Sequence, residues 1–213
     1  MNDIYTRHLV NNFRNFSKIP LNFFNFMLLH NESIWKLLKY DDINIIDHDD
    51  DDEVYIGEMD IEQPNLTRDE KISLLYRGGN DTDKYRVFLQ RVTDDSEKMS
   101  NIKFNIYTDT AIPNSKDPTY ILHTVTFEIV CHNKYNVIDN GQRNRVDCIV
   151  EELYNLFLGA RLENMGEIFF DYNQSRNQDK VLENLSNVKN YFGKTCTVSF
   201  FSTSLENKAE RNL

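Results

Sequence analysis

The chain has 213 residues and a net charge of −10, with 40% hydrophobic and 12% aromatic residues. That apolar content excludes global disorder. The acidic balance argues against tight, sequence-independent nucleic-acid binding, which draws most of its affinity from neutralising phosphates.

Three cysteines, Cys131, Cys148 and Cys196, are odd in number, widely spaced and free of any CxxC pairing, so a reduced folding environment is expected. No apolar run precedes a cleavage site, so no signal peptide is expected, and no run approaches the ~20 residues needed to span a bilayer.

In chain order, Ile4 to Tyr40 reads as helix. Leu9, Val10, Phe13 and Phe16 recur at three- and four-residue steps, Ser17 to Pro20 interrupts, and Phe23, Phe24, Met27, Leu28, Ile34, Trp35, Leu37 and Leu38 continue an apolar stripe. "DHDDDDE" (Asp47 to Glu53) follows, where mutually repelling carboxylates predict a solvated loop. Asp47, Asp49, Asp51 and Glu58 also fall at positions one, three, five and twelve of a calcium loop. The sixth position is Asp52, not the glycine such a turn needs, and Val54 to Ile56 read as strand.

Thr67-Arg-Asp-Glu70 is a capping box, predicting a short helix from Arg68 to about Arg77, closed by Gly78-Gly79. Alternation then predicts strands over Tyr85–Arg91, Ile102–Tyr107 and Leu122–Cys131, in an antiparallel half-buried pattern. Between the last two, "TDTAIPNSKDPTY" reads as a long polar loop carrying Pro113 and Pro118. An Asn-Gly turn at Gly141 precedes the most periodic helix, Gln142 to Leu158, with Val146, Ile149, Val150, Leu153, Leu156 and Phe157 on one stripe and Gly159 as its stop. Gly166–Tyr172 reads as strand, Asp179–Tyr191 as weak helix, Lys194–Ser202 as a last strand, and the final residues as a frayed tail.

The whole is expected to be α+β: a mainly antiparallel sheet packed by one long amphipathic helix, with an N-terminal helical portion. The expected division is 1–60 for that portion and the acidic loop, 61–202 for the α+β domain, and 203–213 for a flexible tail.

Chemistry is sparse in the pattern. The five histidines form no HExxH and no helical ligand pair. Cys131 and His132 are adjacent strand residues that point to opposite faces, so they grip one ion poorly, and Cys131 lies in phase with Val125, Phe127 and Ile129. There is no GxSxG and no phosphate-cradling glycine loop. Arg143 and Arg145 sit at the start of the main helix, against the helix dipole, which suggests a partner: an acidic residue of a neighbouring subunit, or a phosphate.

The succession "IWKLLKYDD", "LTRDEKISLLY", "YRVFLQR", "IKFNIY", "VTFEIVCHNKYNVIDNGQRNRVDCIVEELYNLF", "GEIFF" and "TCTVSFF" resembles the head–tail connector proteins of tailed bacteriophages, the neck, tail-completion or tail-terminator group. The likeness runs from about Ile34 to Ser202. Its most specific piece is "FEIVCHN", the "NGQR" turn and the helix with Ile149 and Leu153 on one face. The acidic loop and the length before Leu66 depart from the smaller members.

The resemblance implies a virion protein of the neck or tail region, assembled in the host cytoplasm as a ring of 6 or 12 copies. Its partners would be itself, a portal or adaptor and tail proteins. Genomic DNA would pass through without specific binding, and no cofactor, metal, catalytic residue or membrane is expected. Candidate interface residues are Trp35, Arg143, Arg145, Pro113 and Pro118, with the segment 108–119 as an arm. The acidic residues Asp47, Asp49, Asp50, Asp51, Asp52 and Glu53 would face the channel, where carboxylates repel DNA. The alternatives are a non-catalytic partner-binding phage protein and a small hydrolase or nuclease.

Overall fold

The computed structural model describes residues 16–46, 58–79, 84–91, 101–113, 120–162, 165–170, 182–184 and 190–203. The sequence expectations for residues 1–15, the acidic loop 47–53, Pro118 and the tail 204–213 lie outside these.

A 3-10 turn, Phe16–Lys18, runs into α1, Ile19–His30, with Pro20 in its first turn, where a missing N–H costs nothing. This accounts for the break expected at Ser17 to Pro20. Asn31 adopts extended backbone and ends the helix. Its Oδ1 accepts from the Ile34 N–H at 2.7 Å, helping to start α2, Ser33–Lys39. Residues 33–38 of α2 are all buried, including Lys36, whose Nζ donates to the Ile61 carbonyl at 2.9 Å. α2 is thus an interior rod.

The capping box forms as the sequence predicts. Thr67 Oγ1 accepts from the Glu70 N–H, and the Glu70 carboxylate accepts from the Thr67 N–H at 2.8 Å. The helix it opens, α3, Arg68–Ser73, ends four residues short of the expected Arg77. Past Ser73, the Leu74 carbonyl accepts from the Arg86 and Val87 N–H groups, which draws the chain out of the helix.

Among the described residues, seven strands follow in two sheets. β1 is Val87–Phe88, β2 Ile102–Pro113 and β3 Tyr120–His132. A short helix, α4, Asn133–Asn136, leads to β4, Val137–Ile138, and β5, Arg143–Asn144. The long helix α5, Arg145–Phe157, precedes β6, Leu182–Asn184, and β7, Tyr191–Thr203. The large sheet has the order β1-β2-β3-β7-β6; β4 and β5 pair by themselves.

The expectation of an α+β fold with a mainly antiparallel sheet holds, but four details differ. β1 is only two residues long and runs parallel to β2, with Val87 opposite Phe104. Thr108 to Pro113 is strand rather than loop: after a bulge at Asp109, β2 stays paired with β3 as far as Pro113 opposite Ile121. The start of the expected weak helix is β6, paired with β7 over Leu182 to Asn184. Arg143 belongs to β5, so α5 begins at Arg145.

The β3 alternation sorts the sheet into two faces. Val125, Phe127, Ile129 and Cys131 are buried toward the helices with Cys196, Val198 and Phe200 of β7. Phe23 of α1 stands at the centre, its ring 5.7 Å from Phe127, 5.0 Å from Phe157 of α5 and 6.0 Å from Phe200. The N-terminal helices therefore close on the same core as the sheet. Gly159 takes a positive φ and ends α5 as expected. Gly166 allows a close approach to the β7 edge: its N–H donates to the Phe201 carbonyl at 2.8 Å, and a Cβ there would meet that oxygen at 2.6 Å.

Candidate functional site

The three thiols are committed to the interior. Cys131 and Cys196 are fully buried and Cys148 nearly so. Burial pushes the first two thiols up to about 12 and Cys148 to about 11, against the thiolate a nucleophile requires. His132 finishes β3 and accepts the Lys134 N–H on Nδ1 at 3.1 Å, so it caps α4, and its ring meets Tyr191 edge-on at 5.0 Å. Among the described residues no group of three or more His, Cys, Asp or Glu is arranged to hold a metal ion.

One contact has the outline of a nucleophile and base: His123 Nε2 lies 2.7 Å from Ser202 Oγ. Sequence reasoning missed it, because the two residues come from separate strands and belong to no motif. His123 is buried between the Phe200 ring, stacked at 5.1 Å, and the Phe16 ring at 6.2 Å. Burial pulls its pKa down to about 4, so the imidazole is neutral. Its Nδ1 is buried without a hydrogen-bond partner. A bare acceptor is the cheaper orphan, which favours the tautomer with the proton on Nε2, donated to Ser202. In that tautomer Nε2 cannot take the serine proton, and no group orients the ring as a general base. The pair is built as a buried polar contact.

Arg145 explains its awkward place at a helix start. Its side chain is buried, and its guanidinium leaves the helix axis to collect carbonyls: Tyr135 O from Nε at 2.7 Å, Leu37 O from Nη1 at 2.6 Å, then Tyr40 O and Asp41 O. Burial lowers its pKa, and the nearby acids Asp41 and Asp42 act in the opposite sense. For Arg145 the partner expected from the sequence is thus a set of carbonyls of the same chain, at Tyr135 and at and just beyond the C-terminal end of α2, not a neighbouring subunit or a phosphate. Arg143 is half-exposed, with Asp139 3.8 Å away.

Trp35 is likewise interior, its indole N–H donating to the Met27 carbonyl at 3.1 Å and its ring edge-on to Phe24. As candidate contacts for another molecule, Trp35 and Arg145 are corrected by this burial. Pro113 is exposed at the end of β2. Glu58, the twelfth position of the calcium pattern, is turned onto α2, where its carboxylate accepts the Glu32 and Ser33 N–H groups.

The sheet face away from the helices carries a polar set on its central strands. Asn105 Nδ2 donates to Glu128 Oε1 at 2.8 Å, and Arg91 Nε lies 3.5 Å from Glu128 Oε2. Tyr107 beside them is raised to about 12 by burial and by the Glu128 charge, so it stays a phenol. Asn105 Oδ1 is left buried without a hydrogen-bond partner.

Apolar side chains also stand uncovered, Val137 (56%) and Ile46 (45%) among them. Leu29 of α1 is 71% exposed, Leu158 after α5 64%, Ile112 of β2 54% and Phe201 of β7 38%. α1 contains no Asp, Glu, Lys or Arg in its 12 residues, within a chain that is 27% charged. A helix apolar on both sides is ordinarily covered on both sides. The candidate functional feature is therefore this exposed apolar surface.

A family model, YomW, matches residues 31–200. No curated protein and no solved structure matches the chain.

Proposed function

The chain belongs to the YomW family of phage-derived proteins, and on that premise we propose that it is a non-catalytic structural protein of the phage particle, a ring subunit of the neck that joins head to tail. The observation that carries this reading is the contrast between spent chemistry and unspent surface. The thiols, His123, Arg145 and Trp35 are built into the interior, while Leu29, Leu158, Ile112 and Phe201 stand in solvent. A ring subunit needs a rigid body and adhesive faces, not a catalytic pocket. The resemblance of "FEIVCHN", the "NGQR" turn and the following helix to head–tail connectors supplies the location. The acidic balance suits a channel through which a polyanion must slide.

The test is location. Immunogold labelling of purified particles should place this protein at the head–tail junction, in a constant copy number of 6 or 12. Particles that lack it would remove the structural reading and leave the partner-binding one.

A further inference from the structure

Residues 58–66 join neither sheet and run alongside α2 in the same direction. Ser33 Oγ donates to the Met59 carbonyl, Lys36 Nζ to the Ile61 carbonyl at 2.9 Å, and Tyr40 Oη to the Pro64 carbonyl at 3.2 Å. Positions 33, 36 and 40 share one stripe of a helix. α2 therefore holds this segment by its main chain, through a row of its own donors.

The ends are fastened by carboxylates. Glu58 accepts the Glu32 and Ser33 N–H groups. The Met59 N–H donates to Glu152 Oε1 at 2.7 Å, and the Leu66 N–H to Glu32 Oε1 at 2.6 Å. Bonds to Asn44 and Ile46 flank an isolated pairing of Ile61 with Ile45. Of the nine residues, only Ile61 and Leu66 are buried.

We propose that residues 58–66 are a releasable strap: it opens from α2 as a unit while the sheet and α5 stay folded, and Glu152 is the latch that sets how often it opens. This motion is independent of any assembly into rings.

Polar contacts make the opening easy. Water replaces the carbonyls at Ser33, Lys36 and Tyr40 once the row is wet, so the net loss per bond is small. Lys36 is buried beneath the strap, and hydration of its ammonium offsets part of that loss. Apolar burial is lost at two side chains, whereas the core is held by Phe23 packed on Phe127 and Phe157. A segment with so few apolar anchors belongs to the low-stability end of a native structure.

Glu152 sets the gate because it is buried and bonded to the strap at Met59. The charges acting on it most are Glu58 of the strap and Glu151 of α5, and both oppose its ionisation. From the α1–α2 junction it meets the neutral amide of Asn31. Burial is the largest effect and raises its pKa while the strap is closed. An open strap hydrates the carboxylate and returns it toward its ordinary range. The closed form thus binds the proton more tightly, and opening is favoured as pH rises through that window.

Amide exchange of the full chain, followed residue by residue by NMR from pH 5 to 8, tests this through protection factors, which are corrected for the intrinsic effect of pH. The amides of Ser33, Met59 and Leu66 report the strap, and those of Val125 to Ile129 report the core of β3. The strap amides should be at least about tenfold less protected than the core and, at low urea, insensitive to urea while core protection falls. Their protection should drop as pH rises. In Glu152→Gln, which does not titrate, it should be flat. Glu58→Gln removes a charge that opposes Glu152 and should move the wild-type trend to lower pH, a second variant should the first not fold by far-UV circular dichroism. Equal protection and equal urea dependence for strap and core would show that no separate opening exists. A pH trend missing from wild type, surviving in Glu152→Gln, or unmoved in Glu58→Gln would remove Glu152 as the latch.

Discussion

Asn31 and Glu152, 121 residues apart in sequence, meet in the interior with Asn31 Nδ2 2.7 Å from Glu152 Oε2. The other carboxylate oxygen accepts the Met59 N–H at 2.7 Å. One acid of α5 thus ties the α1–α2 junction to the loop that follows the acidic segment. Burial raises the Glu152 pKa, while the bonds from Asn31 and Met59 pull the other way.

Stability should therefore depend on pH through this residue in a definite sense. With the folded pKa above the unfolded one, the native state holds more protons between the two, so stability falls as pH rises through that window. Glu152→Ala should cost about 3 kcal/mol by stranding two donors. Glu152→Gln does not titrate. The stability advantage of wild type over Glu152→Gln should shrink as pH rises from 4 to 8, measured by urea unfolding; a gap that widens would contradict the burial argument.

Arg145 should be irreplaceable by lysine. An ammonium group cannot present a planar fork to carbonyls from Tyr135, Leu37, Tyr40 and Asp41 together. Arg145→Lys should lower stability by about 2 kcal/mol or more and Arg145→Ala by more again, each seen as a lower melting temperature. Neither should alter assembly once folded, since the side chain is interior. An Arg145→Lys protein as stable as wild type would show that the carbonyl cage is not used.

The three cysteines should be inert in the native protein. A thiol with a pKa near 12 is about one part in ten thousand thiolate at pH 8. Iodoacetamide at pH 8 should leave the folded chain unmodified and alkylate all three after denaturation, read by intact mass. Rapid modification of Cys131 in the folded chain would revive the small-hydrolase alternative.

The helices and the sheet should unfold together. Phe23 links α1 to Phe127, Phe157 and Phe200, and Trp35, the one tryptophan of the chain, is buried in α2 with its ring edge-on to Phe24 of α1. Tryptophan fluorescence and far-UV circular dichroism should give coincident transitions. Phe23→Ala should shift both by about 3–5 kcal/mol. Separate transitions would show that α1 and α2 form an independent unit.

How far the sequence carried this account depended on whether a signal was local. The Thr67–Glu70 capping box, the Ile149–Leu153 stripe and the Val125–Cys131 alternation each follow from one element's own period, and each is found in place. Thr108 to Pro113 looked like loop because it opens a polar stretch that carries two prolines. It is strand because its backbone groups find β3, which is a tertiary fact. β6 failed for the same reason, its pairing with β7 outweighing a helical spacing. Arg145 was legible as a charge out of place, but three of its four carbonyl partners lie more than 100 residues away in α2 and just beyond it, where no spacing rule reaches. The Ser202–His123 contact had no sequence signature, because it is made only when separate strands pack.

The most direct test of the central claim is the mass of the assembled wild-type protein. Mass photometry or native mass spectrometry across a concentration series should show monomer of 25.2 kDa giving way to one closed species of six or twelve copies. A monomer that persists at every concentration, or an open-ended ladder of masses, would contradict it.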